Sequence, residues 1–314
     1  MRALVTGAAG FVGSHLSEAL LARGDSVLGV DCFTPYYDRI DKEANVASAY
    51  AHDEFELVEA DLRTTDIAEL LDGVDTVFHQ AAQAGVRLSW SAGFADYVGH
   101  NVLATQRLLE AVQRSRPEAR VVYASSSSVY GNQARYPTTE TDLPRPFSPY
   151  GVTKLGAEHL CALYAENWGL HTVALRYFTV FGPRQRPDMS IHRLCEAAVR
   201  GTPFPRFGDG TQIREFTYVD DIVAANLAAA DREITPGTYL NIAGGAEITL
   251  NDLIALVEEI AGSPVAIEAG PHQAGDSFRN GGSIARARDA LGWEPHVSLP
   301  DGIAAQVEWH RARV

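Results

Sequence analysis

The sequence predicts an α/β protein: a doubly wound parallel sheet carrying a smaller C-terminal lobe. Three observations lead there. Short apolar, β-branched runs alternate with helical stretches through the first half of the 314 residues. A glycine-spaced turn, Gly7-Ala8-Ala9-Gly10-Phe11-Val12-Gly13, joins the first run to the first helical stretch. The second run closes on a carboxylate, Asp31.

In chain order, the first strand is expected at 3–6 and the first helix at 10–23, with the glycines allowing the sharp reversal between them. Strands follow at 26–31, 54–59, 76–79 and 120–125. The last is the clearest: Arg120-Val121-Val122-Tyr123-Ala124 is β-branched and uncharged after its first residue. Helices are expected at 67–71, 101–115 and 150–167, then a strand at 171–176. Such alternation implies right-handed crossovers and therefore parallel strands. After Pro183 the character changes. Loops rich in Arg, Gly and Pro separate short helices at 191–200, 220–230 and 250–260, with isolated strands at 237–242 and 265–268. The expected division is 1–178, a nucleotide-binding domain that later segments rejoin, and 179–314, mainly a substrate-binding lobe.

Composition bounds the function. No window approaches the ~20 apolar residues of a membrane span, and the start carries no basic n-region with a cleavage site. A cytoplasmic protein without a membrane partner is expected. The formal charge of −14 argues against nucleic acid, so an anionic substrate requires a local cluster of arginines. Cys32, Cys161 and Cys195 are odd in number and lack metal-ligand spacing, which points to free thiols and no metal site.

The glycine turn lets backbone approach a pyrophosphate, which then rests on the N–H groups opening the first helix. Its spacing is GxxGxxG rather than GxGxxG. Asp31 is placed to accept hydrogen bonds from adenosine ribose hydroxyls and to repel a 2′-phosphate. Cys32, Phe33 and Thr34 bring no cation behind it, so NAD is favoured over NADP. Asp61-Leu62 would reach the adenine, and His79-Gln80-Ala81-Ala82 would pass the phosphates and the nicotinamide-side ribose.

The strand at 120–125 runs into four serines, Ser125 to Ser128, then Val129-Tyr130-Gly131. Hydroxyls at the C-terminal end of a strand lie where open α/β sheets bind ligands. Tyr150 and Lys154 follow four apart on one helix face. A phenol titrates near ~10, and a neighbouring ammonium, with the positive nicotinamide, favours the phenolate. Tyr150 is then expected to take a proton from a sugar hydroxyl while hydride leaves the same carbon. Ser126 would hold that hydroxyl and the developing carbonyl.

These features, with Asn101-Val102, Ser148-Pro149-Tyr150, Arg176-Tyr177-Phe178, Phe207-Gly208-Asp209-Gly210-Thr211-Gln212, Arg214 to Asp221 and Gly275-Asp276, run nearly end to end. Together they resemble the extended short-chain dehydrogenase/reductases acting on nucleotide sugars, the NAD-dependent epimerases and dehydratases with a Rossmann-like sheet. The resemblance implies a catalytic triad of Ser126, Tyr150 and Lys154. It implies NAD contacts from Gly7, Gly10, Phe11, Val12, Gly13, Asp31, Asp61, Leu62, Gln80, Ala81, Ala82, Asn101, Tyr150, Lys154 and Tyr177. Arg214 would grip a UDP diphosphate with Arg193 adding to it, Phe207 would lie in a uracil cradle, and Asp276 would touch substrate. The helices at 101–115 and 150–167 resemble the pair through which such enzymes form homodimers.

Dehydratases of this family place Asp-Glu after the catalytic Thr, and UDP-glucuronate decarboxylases a Glu two residues before the VYG tyrosine. Here Ser127 and Ser128 stand in those positions, which leaves simple epimerisation. Galactose epimerases usually read Arg-Tyr-Phe-Asn, and an arginine often precedes their C-terminal Gly-Asp. This chain has Thr179 after Arg176-Tyr177-Phe178, and His272-Gln273 before Gly275. Residues 83–87, 182–189 and 272–276 are similar to those of UDP-glucuronate 4-epimerases. The expected reaction is 4-epimerisation of UDP-glucuronate to UDP-galacturonate through a 4-keto intermediate. The alternatives are 4-epimerisation of UDP-glucose or UDP-N-acetylglucosamine, and after them UDP-glucuronate decarboxylation. Arg87 and Arg186 are expected to pair carboxylate or phosphate; Arg184 reads as a solvated loop charge. A 4-keto uronate is a β-keto acid, so Ser127, Ser128 and Thr179 are expected to hold its carboxylate out of alignment with the carbonyl. Trp90 and Tyr36 read as packing residues.

Overall fold

The computed structural model describes residues 1–271 and 277–314. The first half alternates as β1 (Arg2–Thr6), α1 (Phe11–Ala22), β2 (Ser26–Asp31), α2 (Arg39–Val46), β3 (Phe55–Glu59), α3 (Ile67–Leu70), β4 (Thr76–His79), α4 (Phe94–Tyr97), α5 (Ala104–Ser115), β5 (Arg120–Ser126), α6 (Pro149–Trp168) and β6 (Thr172–Tyr177). A π turn, Val98–Leu103, joins α4 and α5 into one continuous helix, so the helix expected from 101 begins earlier. The second half holds β7 (Val180–Phe181), α7 (Ser190–Arg200), β8 (Phe204–Phe207), β9 (Ile213–Tyr218), α8 (Val219–Asp231), β10 (Thr238–Ile242), β11 (Ala246–Thr249), α9 (Leu250–Ala261), β12 (Ile267–Gly270), α10 (Ala285–Leu291) and α11 (Leu299–Arg311).

Seven parallel strands form the main sheet in the order β10-β6-β5-β4-β1-β2-β3. The direction of winding reverses between β1 and β4, and a crevice opens there at the strands' C-terminal ends. One face packs Val5, Leu16, Leu20, Phe78, Val122 and Ile222; the other packs Leu4, Val77, Leu108, Leu109, Val121 and Tyr164. The strand expected at 237–242 as an isolated piece of the C-terminal lobe instead pairs with β6, Thr238 to Val173 through Ile242 to Tyr177. Its buried Leu240 and Ile242 join the main core, and α8 and α10 pack there too.

The smaller lobe is built on β11-β9-β7 and β12-β8, around Phe181, Leu194, Phe216, Tyr218, Leu253 and Ile303. The expected strand at 265–268 is observed slightly later, as β12 paired with β8. The strands at β7, β8, β9 and β11, and the helices α2, α10 and α11, have no counterpart in the sequence expectations. Among the described residues no helix is long and apolar enough to cross a membrane.

Candidate active site

A cavity of about 980 Å³ lies between the C-terminal edge of the main sheet and the smaller lobe. That is the upper end of ligand-pocket sizes.

Its floor is the glycine turn. Gly7 holds φ +70, and a Cβ there would stand 2.8 Å from the backbone N of Ala81. A Cβ on Gly13 would stand 2.1 Å from the Gly7 carbonyl oxygen, so the turn closes only with glycine in both places. Gly10 caps α1 with no side-chain partner, leaving the first-turn N–H groups of the helix for a ligand. Phe11, Val12 and Gly13 of that turn line the cavity. The Asp31 carboxylate ends β2 beside them, accepting from Ala9 N at 3.1 Å and Phe33 N at 2.8 Å. Burial raises its pKa against those two hydrogen bonds. Asp61 is held by a bidentate pair with Arg63 at 3.0 and 2.7 Å, with Leu62 beside it.

Gln80, Ala81 and Ala82 continue the wall. Gln80, Asn226 and Tyr177 close a ring: Gln80 Nε2 donates to Asn226 Oδ1 at 3.0 Å, Asn226 Nδ2 to the Tyr177 hydroxyl at 2.7 Å, and that hydroxyl to Gln80 Oε1 at 3.1 Å. Asn101 lies behind the wall rather than on it. Its amide grips the backbone of Gln83 at 2.8 and 3.0 Å and the Thr153 hydroxyl at 2.9 Å, tying the π turn to α6. A dinucleotide fits this donor set: bare helix N–H groups, a backbone channel that a Cβ would close, and a strand-end carboxylate.

Ser148 caps α6 by accepting from Gly151 N at 3.1 Å, with Pro149 opening the helix. This start puts Tyr150 in the first turn and Lys154 one turn on, both on the cavity wall. Ser126 ends β5 beside Tyr150, and its Oγ accepts from Ser128 N at 3.1 Å. In the protein without its cofactor the phenol's pKa lies above the ordinary value. Burial raises it, and the Arg186 charge and the neighbouring Ser126 hydroxyl offset this only in part. Burial likewise lowers Lys154 to about 7, against the opposing influence of Cys161 and Glu158. In the protein alone, desolvation outweighs the pairwise attraction that sequence spacing suggests.

Ser127, Ser128 and Thr179 also line the cavity, and the Thr179 hydroxyl accepts from Asn280 Nδ2 at 3.2 Å. Arg186 lies close enough to Tyr150 for its charge to be felt there. Its fork is engaged by Asp188, Nε to Oδ1 and Nη2 to Oδ2, both at 3.0 Å. The Tyr36 hydroxyl adds a hydrogen bond to Asp188 at 3.1 Å. Burial would raise the Asp188 carboxyl, but Arg186 outweighs it and holds it low. Arg87 stacks over the Phe207 ring at 4.4 Å, and Arg193 and Arg214 also line the cavity. Arg214 also donates to the carbonyls of Ser277 at 2.6 Å and Phe278 at 3.2 Å.

Three expectations are corrected. Arg184 is not a solvated charge: at φ +65 it forks onto Glu18 at 2.8 and 2.6 Å, donates to His15 Nδ1 at 3.0 Å and reaches the Asn45 carbonyl at 3.0 Å. Tyr36 is a cavity residue rather than core packing, and Trp90 faces solvent. Asp276, with residues 272–275, lies outside the described residues. Sequence reasoning missed Tyr36, Asp188 and Lys42, a lining lysine whose Nζ donates to the Thr34 carbonyl at 2.7 Å. Among the described residues no group of three or more His, Cys, Asp or Glu is placed to hold a metal ion.

Residues 3–243 match the NAD dependent epimerase/dehydratase family. The chain is 40% identical to the uncharacterised UDP-glucose epimerase YtcB of Bacillus subtilis (strain 168), covering 98% of each chain. It is 34% identical to the UDP-glucuronate 4-epimerase of Thermodesulfobacterium geofontis (strain OPF15), covering 99% of this chain and 96% of that one. The structure superposes on a UDP-glucuronic acid 4-epimerase from Bacillus cereus, solved with UDP-glucuronic acid and NAD, with a TM-score of 0.96, 40% identity and full coverage of both chains.

Proposed function

The chain belongs to the NAD dependent epimerase/dehydratase family, and from that premise we propose that it epimerises UDP-glucuronate at C4, giving UDP-galacturonate. It is an NAD-dependent UDP-sugar 4-epimerase, like its relatives. What supports the choice of sugar is that the hydroxyls of Ser127, Ser128 and Thr179 line the same cavity as Tyr150 and Arg186, with no carboxylate at the two serine positions.

NAD held by the glycine turn, Asp31, Tyr177 and Lys154 supplies the acceptor and later the donor of the C4 hydride. Tyr150 takes the proton of the C4 hydroxyl, and the Ser126 hydroxyl fixes that oxygen. The cost of the phenolate falls as cationic charge gathers around it, Lys154 and Arg186 contributing from the protein. Ser127, Ser128 and Thr179 donate to the sugar carboxylate and keep its C–CO₂ bond out of line with the C4 carbonyl, while Arg186 balances its charge. With no acid at 127 or 128, elimination and assisted decarboxylation lack a proton carrier. Tyr150 then returns its proton as hydride is delivered to the opposite face of the ring.

Arg87, Arg193, Arg214 and Phe207 line the cavity, which supports assigning them to the diphosphate and uracil. Residues 1–178, with β10, α8 and α10 returning, form the cofactor half of this scheme, and most of 179–314 forms the substrate half. Exposed Val98, Leu103, Val152 and Leu163 on the α4–α5 helix and α6 support a homodimer formed on those helices. A cytoplasmic setting suits the free state of Cys32, Cys161 and Cys195.

UDP-glucose is the second reading. It is favoured by the Arg186–Asp188 pair, which leaves the cavity without a net demand for an anionic sugar. The test is to incubate the protein separately with UDP-glucuronate, UDP-glucose and UDP-xylose and resolve the products by NMR. UDP-galacturonate should form without added reductant. Conversion of UDP-glucose alone would replace the first reading with the second.

A further inference from the structure

The catalytic wall of the cavity is braced from behind by a carboxylate that does not reach it. Glu158 lies one turn beyond Lys154 on α6 and is buried. Its Oε2 accepts from Ser125 Oγ at 2.6 Å and from Arg176 Nε at 2.9 Å, and its Oε1 accepts from Arg176 Nη2. Arg176 is itself buried. Its Nη1 donates to the Tyr130 hydroxyl at 2.6 Å, and that hydroxyl donates to Asn241 Oδ1 at 2.7 Å. The guanidinium also stacks on the rings of Tyr130 at 4.7 Å and Tyr239 at 4.2 Å.

Each partner of this carboxylate is next in sequence to a residue of the site. Ser125 precedes Ser126, and Arg176 precedes Tyr177. The two pairs are in register across the sheet, Ser125 opposite Arg176 and Ser126 opposite Tyr177. One buried anion therefore joins α6, which carries the tyrosine and lysine, to both strand ends that complete the site.

We propose that Glu158 is a positioning residue for the catalytic triad, locking α6 against β5 and β6 and placing a negative charge one turn along the helix from Lys154. The inference rests on the assignment of Tyr150 and Lys154 as the reacting pair. Of the groups around Lys154, Glu158 is the carboxylate whose charge reaches it. On its own helix stand Tyr150, Glu158 and the thiol of Cys161, a neutral group whose pKa is pushed up by burial. From β5 comes the Tyr123 ring, 4.5 Å from Nζ, whose phenol is held neutral by burial. From β4 comes His79, pushed down to about 3 by burial and by Lys154 itself, and hence uncharged. Arg176 on β6 and Arg186 beyond Tyr150 are cations. Removing the Glu158 charge leaves Arg176 unbalanced as well, so both consequences push Lys154 toward its neutral form.

The test is the pH profile of kcat for UDP-sugar epimerisation in the NAD-loaded Glu158→Gln variant, with wild type alongside. The alkaline limb, where Lys154 loses its proton, should move down by about one pH unit. The plateau kcat should fall about tenfold or more through misalignment. KM and bound NAD should stay within about twofold, since Glu158 touches neither ligand. Glu158→Asp, which keeps the charge, should return the limb to its wild-type place. A uniform fall in kcat with the limb unmoved, or an unchanged profile, overturns the inference. Should Glu158→Gln not fold, Ser125→Ala decides: the inference requires a several-fold loss of kcat with NAD retained, and unchanged kcat overturns it. Absence of wild-type turnover would overturn the functional reading instead.

Discussion

Asp188→Asn tests how this cavity treats a charged sugar. In the structure the Arg186 fork is bound to Asp188 through two 3.0 Å hydrogen bonds, so an incoming carboxylate must take Arg186 from a partner it already has. The two side chains are 21% and 39% exposed, and solvent screening at that exposure brings the pair to about 1 kcal/mol. Asparagine keeps an acceptor for the Tyr36 hydroxyl but removes the competing charge. Freed from that competition, UDP-glucuronate should gain about 1 kcal/mol of binding, or about fivefold in kcat/KM. UDP-glucose has no carboxylate to benefit and should change less than about twofold. Initial rates with each sugar nucleotide, followed by NMR, give the ratio directly. A fall in kcat/KM for UDP-glucuronate, or an equal change for both sugars, would refute the reasoning and show that Asp188 orients Arg186 instead of competing for it.

Three further outcomes are expected. Tyr150→Phe should lower kcat by about 10²–10⁴ while NAD stays bound, because only the proton carrier is removed; undiminished turnover excludes Tyr150 as that carrier. Thr179→Ala should release a UDP-pentose from UDP-glucuronate as a side product visible by NMR, and unchanged product purity would exclude the carboxylate-holding role. The third outcome concerns acid. His15 is pushed down to about 4 by burial and then by Arg184, His79 to about 3 by burial and Lys154, and His310 to about 3 by burial and His192. Folded, these rings stay neutral well below 6.5, whereas the unfolded chain takes up protons from about that pH. The unfolded state therefore binds more protons, and stability falls as pH drops from about 6.5 toward 4, by at most about 1.4 kcal/mol per pH unit for each ring. Thermal melts should show this slope, and His310→Gln should make it shallower; an identical slope would remove His310 from the account.

The parts of the fold legible in sequence were those fixed by local pattern. The boundaries of β2 and β4 match the apolar runs at 26–31 and 76–79, and the glycine turn declares itself by spacing. The smaller lobe did not, for physical reasons. β7 is two residues long, β8 contains Pro205, and both exist through partners distant in the chain. β10 read as a stray strand because nothing in Thr238–Ile242 tells which sheet edge it will cover. In the site, Tyr150, Lys154 and the serines lie close in sequence and were readable together. Tyr36 and Asp188 meet across 152 residues, and only folding shows that Arg186 arrives already paired. Spacing also says nothing of burial: the wall that brings Tyr150 and Lys154 together excludes water, which in the protein alone raises the phenol's pKa and lowers the ammonium's.

Arg184 gives the molecule a limit on modular change. The loop that presents Arg186 is anchored by Arg184 to Glu18 and His15 of the cofactor helix and to the backbone of Asn45, whose own side chain holds the Ala9 carbonyl at 3.0 Å. Residues 182–189 are therefore not a cassette that can be exchanged to retune the sugar. A graft from a relative with other residues at 15, 18 or 45 would lose its footing and slacken the glycine turn. Sugar preference and cofactor retention should drift together under selection, and a successful redesign of this loop must carry its foundation in α1 and α2 with it.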